Sequence, residues 1–128
     1  MSTLSDEKPL GADRKCISCG MPGLSERMVM TVLNDFLIVQ LLLFDNDLNK
    51  LTDLCIPVQD FTCRTLDVDQ TLQLQCIIEH QGSSIRNGHY VCYFKQGENW
   101  FLVSDLYVSR VSVEKLPKQP YICIYKKV

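Results

Sequence analysis

From Phe36 onward, apolar residues recur at strand rather than helix spacing. Phe36 to Phe44 (Phe-Leu-Ile-Val-Gln-Leu-Leu-Leu-Phe) is a nearly continuous apolar run. Asn34-Asp35 and Asp45-Asn46-Asp47 bound it, the pattern of a strand buried on both faces. Leu74 to His80, His89 to Phe94, Trp100 to Ser104 and Tyr121 to Tyr125 alternate or run apolar over strand-like lengths, rich in Ile, Val, Tyr and Phe. Ser112 to Leu116 predicts one helical turn, with Ser112 as cap, Glu114 in the first turn and Pro117 as the stop. Upstream the pattern fades. Residues 1–13 read as a disordered leader with Pro9 and Gly11 as breakers, and Lys15 to Gly23 as a turn-rich knuckle holding Cys16-Ile17-Ser18-Cys19.

Counting places two polar side chains together. With Gln96-Gly97 as a two-residue turn, Lys95 faces Glu98, Tyr93 faces Trp100, Val91 faces Leu102 and His89 faces Ser104. Facing Cβ atoms lie about 4.5–5.5 Å apart, so the Ser104 hydroxyl reaches one imidazole nitrogen. That bond fixes the tautomer and leaves the other nitrogen to take a proton from a nucleophile. The competing reading is a frayed hairpin end. Gly88, just ahead of His89, lets a ligand backbone come close.

Composition narrows the function classes. At 128 residues the chain is one domain or part of one, 46% hydrophobic and 22% charged. Thirteen Lys and Arg against fifteen Asp and Glu give a net charge of −2, with no basic surplus for nucleic acid. The longest apolar run is too short to span a bilayer, so no membrane partner is expected. Seven cysteines, an odd number, without an apolar signal segment at the N-terminus, fit a reducing compartment, cytoplasmic or nuclear.

His80-x-Gly82, Gly88-His89-Tyr90, Trp100, Ser104-Asp105, Val108 and Tyr121 to Tyr125, in that order, resemble the histidine box of the ubiquitin-specific proteases, papain-like cysteine proteases that remove ubiquitin from proteins. Asn34 to Phe44 resembles a strand of that family, and Cys16-x-x-Cys19 resembles a zinc-knuckle pair of its fingers. The resemblance covers about Arg14 to Lys127. It implies an α+β, mostly antiparallel β fold over residues 14–128, a partial papain-like architecture of palm sheet plus part of the fingers. His89 would be the general base and Ser104 its orienter, with Asp105 lending charge. His80, Gly82, Gly88 and Tyr90 would border the channel for ubiquitin's C-terminal tail, and Tyr93 could line it; ordinary core packing is the alternative for both tyrosines. The partner implied is ubiquitin or a ubiquitinated protein.

Two parts of the family pattern do not occur in these 128 residues. The family's nucleophile stands in an Asn-x-x-Cys-Tyr type box, and none of the seven cysteines lies in one. Cys16 and Cys19 are half of a structural zinc site, which takes four ligands, so no cofactor is expected. Leu42-Leu43 also replaces the family's usual Lys-Arg. The expectation is the histidine-bearing portion of a deubiquitinase, inactive alone, that hydrolyses the bond after ubiquitin's terminal glycine once complete. The rival readings are a non-catalytic ubiquitin-binding or scaffolding module and a small redox or metal protein built on Cys16 and Cys19.

Overall fold

The computed structural model describes residues 7–52 and 55–128; the first six residues of the expected leader lie outside them. The chain divides into two compact units. One comprises the described residues of Met1–Leu33 with Arg64–Asp69, the other those of Asn34–Cys63 with Gln70–Val128.

In the smaller unit, β1 (Lys8–Pro9) pairs antiparallel with β2 (Ser25–Glu26). Residues expected in a structureless leader are thus paired, and Leu10 N–H extends the contact to Leu24 O at 2.8 Å. Pro9 is tolerated because a two-residue edge strand does not require its missing donor. Between these strands the knuckle closes on itself, Cys16 N–H donating to Met21 O and Gly20 N–H to Cys16 O.

The larger unit is built on a single mostly antiparallel sheet. Its strands are β3 (Phe36–Gln40), β4 (Asp60–Arg64), β5 (Asp69–Ser84), β6 (Asn87–Gln96), β7 (Asn99–Ser104), β8 (Tyr107–Val111) and β9 (Ile122–Lys127). They run in the order β3-β9-β5-β6-β7-β8, with β4 also paired to β5. One short 3-10 helix, Val113–Lys115, follows Ser112 and ends at Leu116, just before Pro117; Ser112 holds the N-cap position but makes no side-chain cap hydrogen bond. Leu72, Leu74 and Ile77 of β5 are fully buried, together with Val91 and Tyr93 of β6, Trp100 of β7, and Cys123 and Tyr125 of β9. Each fully buried aliphatic side chain contributes about 1.5–3 kcal/mol.

Three expectations change. The Phe36 to Phe44 run forms a strand only as far as Gln40, and β3 is an edge strand half-buried on one face. Phe36 and Ile38 point outward, more than half exposed, because nothing among the described residues covers them. The β6–β7 turn is Gly97-Glu98 instead of Gln96-Gly97, since Gln96 pairs with Asn99. Gly97 takes φ +61 at the first central position, where a side chain would be strained. Every β6–β7 pair therefore moves by two residues: Tyr93 faces Leu102, and Lys95 faces Trp100. A two-residue shift keeps each side chain on its face, whereas a one-residue shift would have reversed them all. Finally, Tyr107–Val111 forms a strand that the apolar pattern did not mark.

Candidate active site

The β5–β6 hairpin carries the residues singled out in the sequence. Its register runs regularly from Cys76 opposite Phe94 to Gln81 opposite His89, then shifts before Ser84 opposite Asn87. Gly82 and Ser83 on β5 thus oppose Gly88 alone on β6, a β-bulge beside the candidate base.

His89 is half-buried, and its Nε2 lies 2.9 Å from Ser104 Oγ. Extending the β6–β7 register by one step places Ser104 opposite Val91, so the two side chains meet on a diagonal of one sheet face. Diagonal Cβ atoms are about 7–8 Å apart, a gap that an imidazole spans. With Nε2 engaged by the hydroxyl, Nδ1 is the nitrogen left for a reacting group.

Asp105 does not join this pair. It occupies the tight β7–β8 turn at φ +52 with its side chain exposed, a conformation that a short polar residue tolerates. Tyr90 is half exposed on the opposite face of β6 from His89. Its ring packs against His80, centroids 5.1 Å apart, and against Tyr121 at 6.2 Å. Tyr93 is buried, and its hydroxyl is pushed up by burial and then by the neighbouring Glu79 carboxylate.

His80 is only 1% exposed, so its ring presents no surface to a ligand. The imidazole Nε2 lies 3.0 Å from Asn87 O, which makes it the donor. Phe44 packs edge-on at 5.3 Å, and Lys50 Nζ donates to the His80 carbonyl. The missing side chains of Gly82 and Gly88 make room for this arrangement. A Cβ on Gly88 would collide with His80 Nε2 and come within 2.7 Å of Gln81 O. One on Gly82 would meet Asn87 O at 2.8 Å and Gly88 Cα at 2.9 Å. Sequence reasoning assigned these three residues to a ligand channel and missed their mutual packing. The signal was available in the spacing of His80, Gly82 and Gly88 across one hairpin.

Cysteines of the sheet and of the knuckle stand in different surroundings. Cys92 is three residues from His89, on the opposite face, and its Sγ lies 3.1 Å from Cys76 Sγ. Burial, then Cys92, pushes the Cys76 thiol up to about 12, and burial pushes Cys123 up to about 11. Both are held as neutral thiols. Cys16 shifts the other way, its thiol lowered by the backbone N–H groups of Cys19 and then Ser18. Two thiols make half of a tetrahedral zinc set, and among the described residues no group of three His, Cys, Asp or Glu could hold a metal. No helix among the described residues is long and apolar enough to cross a membrane.

A match to the ubiquitin carboxyl-terminal hydrolase family spans residues 11–125. The chain belongs to that family. Ubiquitin carboxyl-terminal hydrolase 10 of Saccharomyces cerevisiae is 28% identical over 69 residues, which are 52% of this chain and 9% of that protein. Among solved structures, the SAGA DUB module containing Ubp8, bound to monoubiquitin, is similar with a TM-score of 0.82 and 26% identity, over 98% of this chain and 31% of the matched one. The same module bound to ubiquitin aldehyde gives a TM-score of 0.82 at 24% identity, over 98% and 32%. This chain therefore has a partial ubiquitin-specific protease fold, mostly antiparallel sheet, and spans about a third or less of these relatives' lengths.

Proposed function

We propose that this chain supplies the histidine half of a deubiquitinase active site, with His89 as general base and Ser104 as the group that holds its tautomer. The observation that carries this reading is the 2.9 Å contact between His89 Nε2 and Ser104 Oγ. In the working tautomer Nε2–H donates to Oγ, and the Nδ1 lone pair takes the proton of a cysteine thiol. The thiolate then attacks the carbonyl after ubiquitin's C-terminal glycine, and the imidazolium returns its proton to the departing amine. A hydroxyl orients the ring but adds no negative charge, so it stabilises the imidazolium less than a carboxylate in its place.

In this reading the thiol lies outside these 128 residues, since none of the seven cysteines stands in the family's box. Cys92 faces away from His89, and burial holds Cys76 and Cys123 protonated. The reading is therefore of a chain that binds ubiquitin in the cytoplasm or nucleus, holds no zinc by itself, and hydrolyses nothing unaided. The orientation of Cys92 also favours the second reading, a ubiquitin-binding module without catalysis.

A ubiquitin carrying a C-terminal thiol-reactive electrophile tests both. The isolated chain should bind it saturably and form no covalent adduct. Adding a polypeptide with the family's cysteine box should restore hydrolysis if the chain is half of an enzyme, and leave binding alone if it is a module. Absence of any ubiquitin binding would remove both readings, and an adduct on one of the seven cysteines would remove the claim that the thiol is external.

A further inference from the structure

We propose that His80 is a positioning residue for His89, fixing the backbone that aims the base at Ser104; this rests on the reading of His89 as base. The two rings lie on opposite faces of the sheet, so the link between them runs through the main chain. The His80 Nε2–H donates to Asn87 O, Gly88 follows at φ +147, and His89 comes next. At this point the β5–β6 ladder is interrupted by the bulge, and an imidazole supplies the donor to the Asn87 carbonyl.

The chemistry at this position separates anchoring from packing. His80 is almost fully buried, with the rings of Phe44 and Tyr90 against it, a setting suited to an aliphatic or aromatic side chain. Its Nδ1 is buried without a hydrogen-bond partner among the described residues. Leaving a buried acceptor unpaired is unfavourable, and an apolar residue would avoid it. What the histidine provides instead is one donor at the correct reach, placed where Gly88 has no side chain to obstruct it. A Cβ on Gly82 or Gly88 would overlap the backbone opposite, so the strands close this tightly around the ring only with glycine at both positions.

The chain contains only two histidines, which makes the test direct. Nitrogen-15 labelling of histidine in the full chain, read at mildly alkaline pH, reports the tautomer of each ring separately. In the unsubstituted chain, with asparagine also carbon-13 labelled at its carbonyl, His80 should be the Nε2–H tautomer, coupled across its hydrogen bond to the Asn87 carbonyl. His89 should show well-separated nitrogen shifts from one dominant tautomer. Finding His80 as Nδ1–H overturns the proposal without any variant.

His80→Gln keeps an N–H donor the same number of bonds from the backbone, whereas His80→Asn moves it too close to reach Asn87. The Gln variant should preserve the separated His89 shifts, and the Asn variant should draw them together toward a tautomer mixture. Identical His89 spectra in the two folded variants overturn the proposal. Should the Asn variant fail to fold, the tautomer and through-bond coupling of His80 in the unsubstituted chain still decide. This readout needs neither ubiquitin nor a thiol. A failure of the ubiquitin experiments with these spectra intact would remove the proposed function and leave the positioning role standing.

Discussion

His89 and Ser104 meet across a diagonal of the β6–β7 hairpin, their Nε2 and Oγ atoms 2.9 Å apart, although the strand register does not pair them. A diagonal contact depends on the longer side chain reaching back along its strand. The rotamer of His89 therefore governs the pair as much as the strand pairing does. This is why the bulge immediately before His89 matters to the candidate chemistry.

Replacing Ser104 with Ala should free the imidazole while leaving the sheet intact. The hydroxyl is only partly buried, so the stability change should be below about 1 kcal/mol in urea unfolding. In a complex complemented with the cysteine box, loss of one neutral hydrogen bond should lower hydrolysis by roughly tenfold. Ser104→Asp should raise it instead, by adding the charge that the hydroxyl lacks. Equal rates for Ser, Ala and Asp would mean that Ser104 does not act on His89.

Gly88 and Gly97 both have positive φ, yet alanine should affect them differently. At Gly97 no atom lies within 4 Å of an added Cβ, so only backbone strain of about 1 kcal/mol is expected. At Gly88 the new methyl would overlap both the His80 ring and Gln81 O, and φ +147 is itself unfavourable for alanine. The loss there should exceed about 2 kcal/mol, with the His89 tautomer disturbed as well. Comparing the two urea midpoints checks this, and similar losses would show that the hairpin yields at the bulge.

Much of this site was legible in the sequence, for identifiable reasons. The strands around His89 and Trp100 are rich in β-branched and aromatic residues, and the glycine in their turn limits the loop to two placements. The placement that occurs, Gly97-Glu98, differs from the alternative only in which central position takes positive φ, which local composition does not decide. The site pair survived because the error was two residues, an even number. The edge position of β3 and the strand at Tyr107–Val111 depend on topology, to which an apolar pattern is blind. The anchoring of His80 was hidden because it needs the bulge, and a bulge appears only when two strands are placed side by side.

Alkaline pH should destabilise the fold through its buried thiols and one buried phenol. Burial pushes Cys123 from its ordinary 9.0 up to about 11 and Cys76 up to about 12. Burial, then Cys123 and Cys55, pushes Tyr125 from 10.0 up to about 12; its hydroxyl donates to Val58 O at 2.9 Å. Each group keeps its proton in the folded chain to a higher pH than in the unfolded one. The folded state thus binds more protons across that window, and stability must fall as pH rises through it. The contribution is complete below pH 9.0 and lost progressively toward about 12. One such group contributes at most ~1.4 kcal/mol per pH unit, and water screens the half-buried Cys76. Urea midpoints should therefore drop above pH 9.0, and Cys123→Ala should flatten the drop; a pH-independent midpoint would contradict the assignment.

The same physics orders the thiols by reactivity near neutrality, where the thiolate is the reacting species. Two backbone N–H groups, those of Cys19 and Ser18, lower the Cys16 thiol, and both knuckle cysteines are at least partly exposed. Cys123 is buried and Cys76 is pushed up to about 12 against Cys92. Limited alkylation of the folded chain with iodoacetamide, followed by peptide mass spectrometry, should modify Cys16 first and Cys76 and Cys123 last. Unfolding in urea should erase that order, since it removes both the N–H donors and the burial. Early modification of Cys76 or Cys123 in the folded chain would show that the sheet opens locally around β5 and β9.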